Sequence, residues 1–268
     1  MLAEAIHSLA DSCNQLLLLF GMRQSRKPPD TNYPLGYGKS IYFWSFLVAV
    51  ILFSLGGMFS IYEGVHKFTN PEPLTTPMIA IGVLVFAIIA ESASLWGCMH
   101  AVNKERRGRR LSLWFRESRS SELIVVFGED VAALLGLILA LIAVIAAAVT
   151  GNPIYDAIGT VMIGILLIVI AVLLAIEVKA LLIGQGVERH VKENMKTFLQ
   201  ERSEIEGIYN LLTMQMGPDA MVAIKAKMHT TGSEKELVKA INRVEADFRV
   251  AFPMTKWLFF EPDFKDED

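Results

Sequence analysis

Five long apolar segments constrain this 268-residue chain more than any other feature. A helix needs roughly 20 predominantly apolar residues to cross the hydrocarbon core of a bilayer, which is about 30 Å thick. Each segment reaches that length with few charged residues, whereas no such run follows residue 186. The sequence therefore predicts an integral membrane protein with an all-α transmembrane helical bundle. The five segments cover residues 1–22, 42–68, 78–102, 123–150 and 154–183.

The charges of the loops predict how the helices are oriented. Lys and Arg are frequent in the loop after the first segment and in residues 104–119, after the third. Residues 69–77 and the turn at 150–153 contain neither. Basic loops face the cytoplasm, so the part that follows the fifth segment is predicted to be cytoplasmic. The chain would then begin on the far side of the membrane, expected to be a bacterial inner membrane, as in a six-helix protein without its first helix.

The pattern after Gly184 is that of a small soluble domain. An amphipathic helix over 187–201 precedes strands over 211–216 and 221–228, a helix that begins at a Ser233–Glu236 capping box, and a strand over 256–260. The order α-β-β-α-β predicts a compact α+β domain that contains antiparallel strands. The predicted domains are therefore 1–184, in the membrane, and 187–265, in the cytoplasm.

Composition and motifs argue against several classes of function. The net charge of −3, without a basic stripe, argues against a nucleic-acid partner. Cys13 and Cys98 lie in apolar segments without a CxxC motif, which predicts buried side chains and neither a disulfide nor a thiolate metal site. No HExxH motif or nucleophile–base pair indicates an enzyme, so no catalytic residue and no organic cofactor are expected.

Ionisable residues inside apolar helices are the candidate functional residues, because such groups are unfavourable in a bilayer unless they are paired or hydrated. His7 and Asp11 lie one turn apart on one helical face. They could hold one metal ion together, or only hydrogen-bond to each other. Glu129 and Asp130 diverge by about 100° on the fourth segment, so one of them is expected to face the first segment. Asp130 lies deeper in the apolar run and is favoured as the ligand.

Two further carboxylates lie in or next to apolar helices. Glu91, in the third segment, is either a proton site or a hydrogen-bonded structural group, and the sequence favours neither. Asp156 follows Pro153 in the first turn of the last segment, where a carboxylate stabilises a helix N-terminus. A capping role is therefore predicted for Asp156.

The candidate ligands predict the kind of ion and its coupling. One imidazole with two or three carboxylates suits a borderline or hard divalent ion such as Zn, Fe, Co or Mn, and does not suit Cu(I). These ligands must lose protons to bind metal, so metal entry displaces protons. The predicted mechanism is an exchange of metal for protons at one site that opens alternately to each side.

Four stretches of the sequence, in this order, match a known family: residues 1–11 (MLAEAIHSLAD), 33–44 (YPLGYGKSIYFW), 129–133 (EDVAA) and 151–156 (GNPIYD). They resemble the cation diffusion facilitator family, and in particular its zinc transporter nine-like branch. The resemblance implies the cation efflux fold with a ferredoxin-like cytoplasmic domain, homodimers and proton-coupled export of divalent metal. The segments here then correspond to helices two to six, and His7, Asp11 and Asp130 carry over as ligands of the transported metal.

The sequence departs from the family pattern near its transport site. Val126 stands four residues before Asp130, where much of the family has His or Asp. Glu129, water or another helix would have to replace that ligand. In the cytoplasmic domain the candidate ligands of a regulatory metal site are His229, Glu261 and His190. The alternative interpretation, ordinary surface histidines without a metal, also stays open.

Two functions of different classes therefore remain open. One is a divalent metal/proton antiporter with Zn as the favoured substrate, whose partners are the lipid bilayer, metal ions and protons. The other is a non-transporting membrane scaffold or metal-sensing subunit. The presence of His7, Asp11 and Asp130 favours the first function, whereas Val126 and the absent first helix favour the second.

Overall fold

A computed structural model describes the backbone of residues 2–71, 76–230 and 232–265, and the side chains within these ranges from residue 12 onward. The chain divides into two compact units. The first comprises Met1–Met22, Ile41–Arg116 and Ser121–Lys179, and the second comprises Arg23–Ser40, Glu117–Ser120 and Ala180–Asp268. The helices before residue 184 are α1 (Leu2–Ser25), α2 (Ser40–Ile51), a π-helical segment (Leu52–Met58), α3 (Phe59–Thr69), α4 (Pro77–Arg106), α5 (Leu111–Glu117), α6 (Ser121–Thr150) and α7 (Ile154–Ile183).

Four helical stretches of the described chain are long and apolar enough to cross a membrane. Ser40–Thr69, Pro77–Arg106, Ser121–Thr150 and Ile154–Ile183 each have 30 residues, with mean hydropathies between 2.0 and 3.1. At 1.5 Å per residue such a helix is about 45 Å long, which exceeds the hydrocarbon core. These stretches confirm the second to fifth predicted segments. The first segment forms α1, but its side chains up to residue 11 lie outside the described part.

Glycines bring the π-helical segment and α3 against α7. A Cβ atom on Gly164 would lie 2.8 Å from the carbonyl oxygen of Gly57 and 2.8 Å from the backbone nitrogen of Ile61. A Cβ atom on Gly64 would lie 2.8 Å from the backbone nitrogen of Val161. These distances leave no room for a side chain, so the helices can approach this closely only because glycine stands at these positions.

A short helix, not predicted from the sequence, lies within the basic loop between α4 and α6. Arg107 and Gly108 have positive φ angles of 48° and 84° and redirect the chain before α5 begins at Leu111. Trp114 of α5 is fully buried, and its indole N–H donates to Glu105 Oε1 at 3.0 Å. Trp114 and Phe115 also contact the ring of Phe127 on α6, with centroid distances of 5.7 and 6.5 Å. These contacts hold a segment whose high density of basic residues is otherwise typical of a solvated loop.

The second unit contains a mixed three-stranded sheet with helices against it. Strand β1 (Ile205–Met216) pairs antiparallel with β2 (Asp219–Met228), and β2 pairs parallel with β3 (Thr255–Pro262), in the order β1-β2-β3. Alternate residues of β2, including Val222 and Ile224, pack with Val244 and Phe248 in its core. The predicted α-β-β-α-β order is confirmed, consistent with a ferredoxin-like domain. The elements are α8 (Arg189–Gln200), β1 (Ile205–Met216), β2 (Asp219–Met228), α9 (Glu234–Ala251) and β3 (Thr255–Pro262).

Strand β1 begins at Ile205, six residues before the predicted start at 211. The register to β2 shifts near Gly207 and again before Asn210, which interrupts the alternation by which a strand is recognised in a sequence. The predicted cap of α9 is confirmed, because the Ser233 side chain accepts a hydrogen bond from the Glu236 N–H at 3.3 Å.

The loop between α1 and α2 is ordered by Asp30. Its Oδ1 accepts two backbone N–H groups at 2.8 Å, and its Oδ2 accepts the hydroxyl of Tyr37 at 2.6 Å. This hydrogen bond raises the pKa of Tyr37 to about 12 and lowers the pKa of Asp30.

Within the same unit Gly38 lies against the β1–β2 turn, where a Cβ atom on Gly217 would come 2.5 Å from the carbonyl oxygen of Gly38.

Candidate transport site

The buried face of α1 is defined by Asn14 and Leu18, which are only 1% and 4% exposed. At 3.6 residues per turn, positions 7, 11, 14 and 18 of a helix lie within about 60° of one another. Positions 7 and 11 therefore share the helical face that α1 buries at Asn14 and Leu18. The side chains of His7 and Asp11 themselves lie outside the described residues.

Glu129 joins α6 to this face of α1. Its Oε1 accepts a hydrogen bond from Asn14 Nδ2 at 2.6 Å. Positions 11 and 14 are separated by about 4.5 Å along the helix axis, so the carboxylate of Glu129 lies close to the level of Asp11. Sequence reasoning did not single out Asn14, although an amide three residues after Asp11 in an apolar helix is a signal of the same kind.

Asp130 faces α4 instead. It is 8% exposed, and its Oδ1 accepts a hydrogen bond from the Ser94 hydroxyl at 3.4 Å. The thiol of Cys98, one turn further along α4, also interacts with this carboxylate. The structure thus places Glu129 toward the first helix, because adjacent helical residues point to different neighbours. The role of Asp130 as a ligand stays a prediction.

Glu91 lies on the same side of α4 as the partners of Asp130. It is half-buried and precedes Ser94 by three residues and Cys98 by seven, a spacing that follows one helical face. Val126, one turn before Asp130, is half-buried and presents an apolar side chain. Among the side chains described from residue 12 onward, no three of His, Cys, Asp or Glu are close enough to hold a metal ion together.

The three candidate ligands of the second unit lie apart. His190 Nδ1 lies 3.2 Å from Glu188 Oε2 at the start of α8. Glu261 lies beside Lys225, its neighbour in register on β2, with 4.0 Å between the charged groups. His229 lies four residues beyond Lys225, about 13 Å along an extended chain. The structure does not bring His190, Glu261 and His229 into one group.

Asp156 has a different partner from the one that the sequence indicated. Asn152 Oδ1 accepts the N–H of Ile154 at 3.0 Å and so caps α7. Asp156 Oδ2 instead lies 3.0 Å from Lys67 Nζ of α3. Asp156 lies in the first turn of α7 as predicted, but Asn152 makes the cap hydrogen bond and Asp156 forms an ion pair between helices.

The part of the chain before residue 184 matches a known domain. Residues 1–183 match the cation efflux transmembrane domain. The chain belongs to the cation efflux, or cation diffusion facilitator, family. It is therefore an integral membrane protein of a family of cation transporters, and the resemblance carried by the sequence motifs is confirmed.

Relatives from distant organisms share most of the chain. Metal tolerance protein C4 of Arabidopsis thaliana is 32% identical over 87% of this chain and 51% of its own length. The mitochondrial proton-coupled zinc antiporter SLC30A9 of Xenopus laevis is 31% identical over 87% of this chain and 42% of its own. The magnetosome protein MamB of Magnetospira is 26% identical over 84% and 71%. The chain thus spans about half the length of the first two relatives.

Proposed function

We propose that this protein exports divalent metal cations in exchange for protons, with Zn²⁺ as the favoured substrate and Mn²⁺, Fe²⁺ and Co²⁺ as alternatives. The metal would bind His7, Asp11, Asp130 and Glu129. The observation that carries this proposal is the hydrogen bond between Glu129 and Asn14. It holds a carboxylate of α6 against the face of α1 to which positions 7 and 11 belong.

Proton coupling follows from the chemistry of these ligands. An imidazole and a carboxylate bind metal only in their deprotonated forms, so an incoming metal ion displaces protons. Glu129 and Asp130 are adjacent on an apolar helix, where two ionised carboxylates without counter-charge are unfavourable. Binding either a metal ion or protons keeps the local charge low, and the site can then open alternately to each side. No covalent step is needed, so we propose no enzymatic activity.

We also propose that the second unit is cytoplasmic and that the protein is a homodimer. The basic loops that join the helices support this orientation in a bacterial inner membrane. Leu212 of β1 and Phe259 of β3 are 58% and 55% exposed. Such apolar side chains on a small sheet provide a surface on which a second copy could pair.

Metal flux into proteoliposomes with an acidic lumen tests the transport proposal directly. Uptake of Zn²⁺, Mn²⁺, Co²⁺ and Fe²⁺ would be followed for the wild type, His7→Ala and Asp130→Asn. His100→Ala is the matched control, because His100 is an exposed histidine on α4 away from the proposed ligands. We expect uptake by the wild type and the control, and loss of uptake in the other two variants.

Two results would contradict the proposal. Full uptake by His7→Ala and Asp130→Asn would exclude these ligands. Uptake that does not depend on the pH gradient would exclude proton coupling. Both results require that the variants remain folded, which size-exclusion chromatography in detergent can verify.

A scaffold or metal-sensing subunit is the second candidate, favoured by Val126. An apolar residue stands one turn before Asp130, so α6 offers no second ligand one turn from Asp130 on that side. Metal binding without flux of any tested ion, from a folded wild-type protein, would support this candidate.

A further inference from the structure

An elongated cleft of about 230 Å³ opens among the membrane helices of the first unit. Its inner end is formed by Ala132 and Ala133, two and three residues after Asp130 on α6. Its outer end is formed by Lys67, near the end of α3, and by Asp156, in the first turn of α7. The cleft therefore leads from the proposed metal site toward the ends of the helices that carry no basic loop.

Charged and hydroxyl groups are concentrated at the outer end of this cleft. Glu63, Lys67, Asp156 and Thr160 all line it there, whereas the inner end is lined by Leu55, Gly56 and alanines. Two carboxylates and one ammonium give this outer group a net charge of −1. A cation that moves along an apolar cleft would be attracted to such a mouth.

The ammonium group of Lys67 lies among three side-chain oxygen atoms of this group, and these atoms form an oxygen cradle around it. Its Nζ lies 3.0 Å from Asp156 Oδ2, 3.5 Å from Glu63 Oε1 and 3.2 Å from Thr160 Oγ1. Its side chain is 35% exposed, compared with 28% for Glu63 and 23% for Asp156. The ammonium thus stands where three oxygens converge, while its flexible four-carbon stem allows it to leave.

Like the ammonium group of Lys67, a divalent cation at this position would be stabilised by the surrounding oxygen atoms. Carboxylate and hydroxyl oxygens are the ligands that hard divalent cations prefer. Both cations cannot occupy one cradle, because they repel each other at contact distance. A metal ion that reaches the mouth must therefore displace Lys67, and the return of Lys67 would expel the ion.

We propose that Glu63, Asp156 and Thr160 form a second, weak divalent-cation site at the outer mouth of the metal pathway, and that Lys67 is a tethered cation that competes for it. The role of this site in transport rests on the proposed function, whereas its existence does not. Lys67 keeps the affinity low, so that an exported ion is released and does not accumulate at the mouth.

Equilibrium binding of Mn²⁺ to the purified protein in detergent, followed by electron paramagnetic resonance, tests this site. Lys67→Met and Lys67→Gln remove the competing charge, and we expect each to gain one Mn²⁺ site with affinity at least about tenfold above the wild type at this position. Adding Asp156→Asn to either variant should abolish the gain. Lys179→Met is the matched control, since it removes an exposed lysine elsewhere on α7.

A measurement on the wild type keeps the proposal testable if these variants do not fold. Mn²⁺ should increase the labelling of Lys67 by an amine-reactive ester severalfold, measured by mass spectrometry, without changing the labelling of Lys179. An ion pair that only ties α3 to α7 gives no new Mn²⁺ site and no metal-dependent labelling, and this result would overturn the proposal. A gained site that persists with Asp156→Asn would overturn it as well.

The failure of this site and the failure of transport can be told apart. Wild-type protein that moves no metal would refute the proposed antiporter, while the Mn²⁺ binding of the Lys67 variants would still decide the second site. Conversely, normal flux without any gained site would retain the antiporter and remove the outer site.

Discussion

Replacing Gly164 by alanine tests how strongly the stability depends on the contact of α7 with the π-helical segment and α3. The new methyl group would lie 2.7 Å from Ile61 Cγ1 and 2.8 Å from two backbone atoms, Gly57 O and Ile61 N. Favourable contacts between heavy atoms need about 3.5–4.0 Å, so the helices would have to separate by roughly 1 Å. Overpacking of this kind costs about 1–3 kcal/mol. We expect the upper end, because backbone atoms cannot turn aside.

The helix propensity of alanine offsets about 1 kcal/mol of this loss. The net destabilisation is then about 2 kcal/mol, which corresponds to a fall in melting temperature of about 4–8 °C for a protein of this size. Thermal unfolding in detergent, followed by circular dichroism, measures the shift.

Gly82→Ala is the matched control for this substitution. Gly82 lies on α4, and a Cβ atom there would meet nothing within 4 Å. Alanine at this position should leave the melting temperature unchanged or raise it slightly through helix propensity. Equal melting temperatures for Gly164→Ala and Gly82→Ala would refute the packing argument.

Three further substitutions address the site and the loops. Val126→His should shift uptake toward Zn²⁺ by adding an imidazole one turn before Asp130; an unchanged ratio of Zn²⁺ to Mn²⁺ uptake would mean that position 126 does not face the ion. Asp30→Asn should lower the pKa of Tyr37 from about 12 toward 10.0 in an ultraviolet titration. The contribution of Tyr37 to stability is complete below the pKa of 10.0 that it has when unfolded, and it is lost as the pH rises through about 12. The contribution of Asp30 is present above pH 3.8 and is lost as the pH falls through the lowered pKa of this group. His229→Ala should affect regulation by metal more than flux, and a variant without flux would contradict this assignment.

The helices could be predicted from the sequence because long apolar runs with few charges have one stable environment, the bilayer. The strands of the second unit were recognised by alternation, as at Val222 and Ile224, and the first residues of β1 were missed where bulges interrupt it. Helix α5 was missed because its apolar residues span only seven positions within a basic loop, too few to show a helical period. Helices and strands were thus predicted wherever buried residues recur at regular intervals along the sequence or form a long apolar run.

The candidate site could be predicted only as far as its positions on the helices. The spacing of His7 and Asp11 places them on one face without any knowledge of the neighbouring helices. Which of Glu129 and Asp130 faces α1 depends on the rotation of α6 against α1 and α4, and that rotation is set by packing far from these residues in sequence. The pairing of Lys67 with Asp156 has the same origin, since no local pattern links α3 to α7.

The π-helical segment Leu52–Met58 has a geometric consequence for the span that contains it. A π-helix has more residues per turn than an α-helix, so residues on its two sides do not follow one angular phase. Deleting one residue within 52–58 would compensate for the wider turn, whereas restoring α-helical winding at constant length would rotate the part beyond it by about 100°. Lys67 would then turn away from Asp156 while α2 stayed in place. The span therefore consists of two half-helices whose rotation about the helix axis is set by the π-helical segment between them. The winding of this segment determines which side chains of the outer half contact α7.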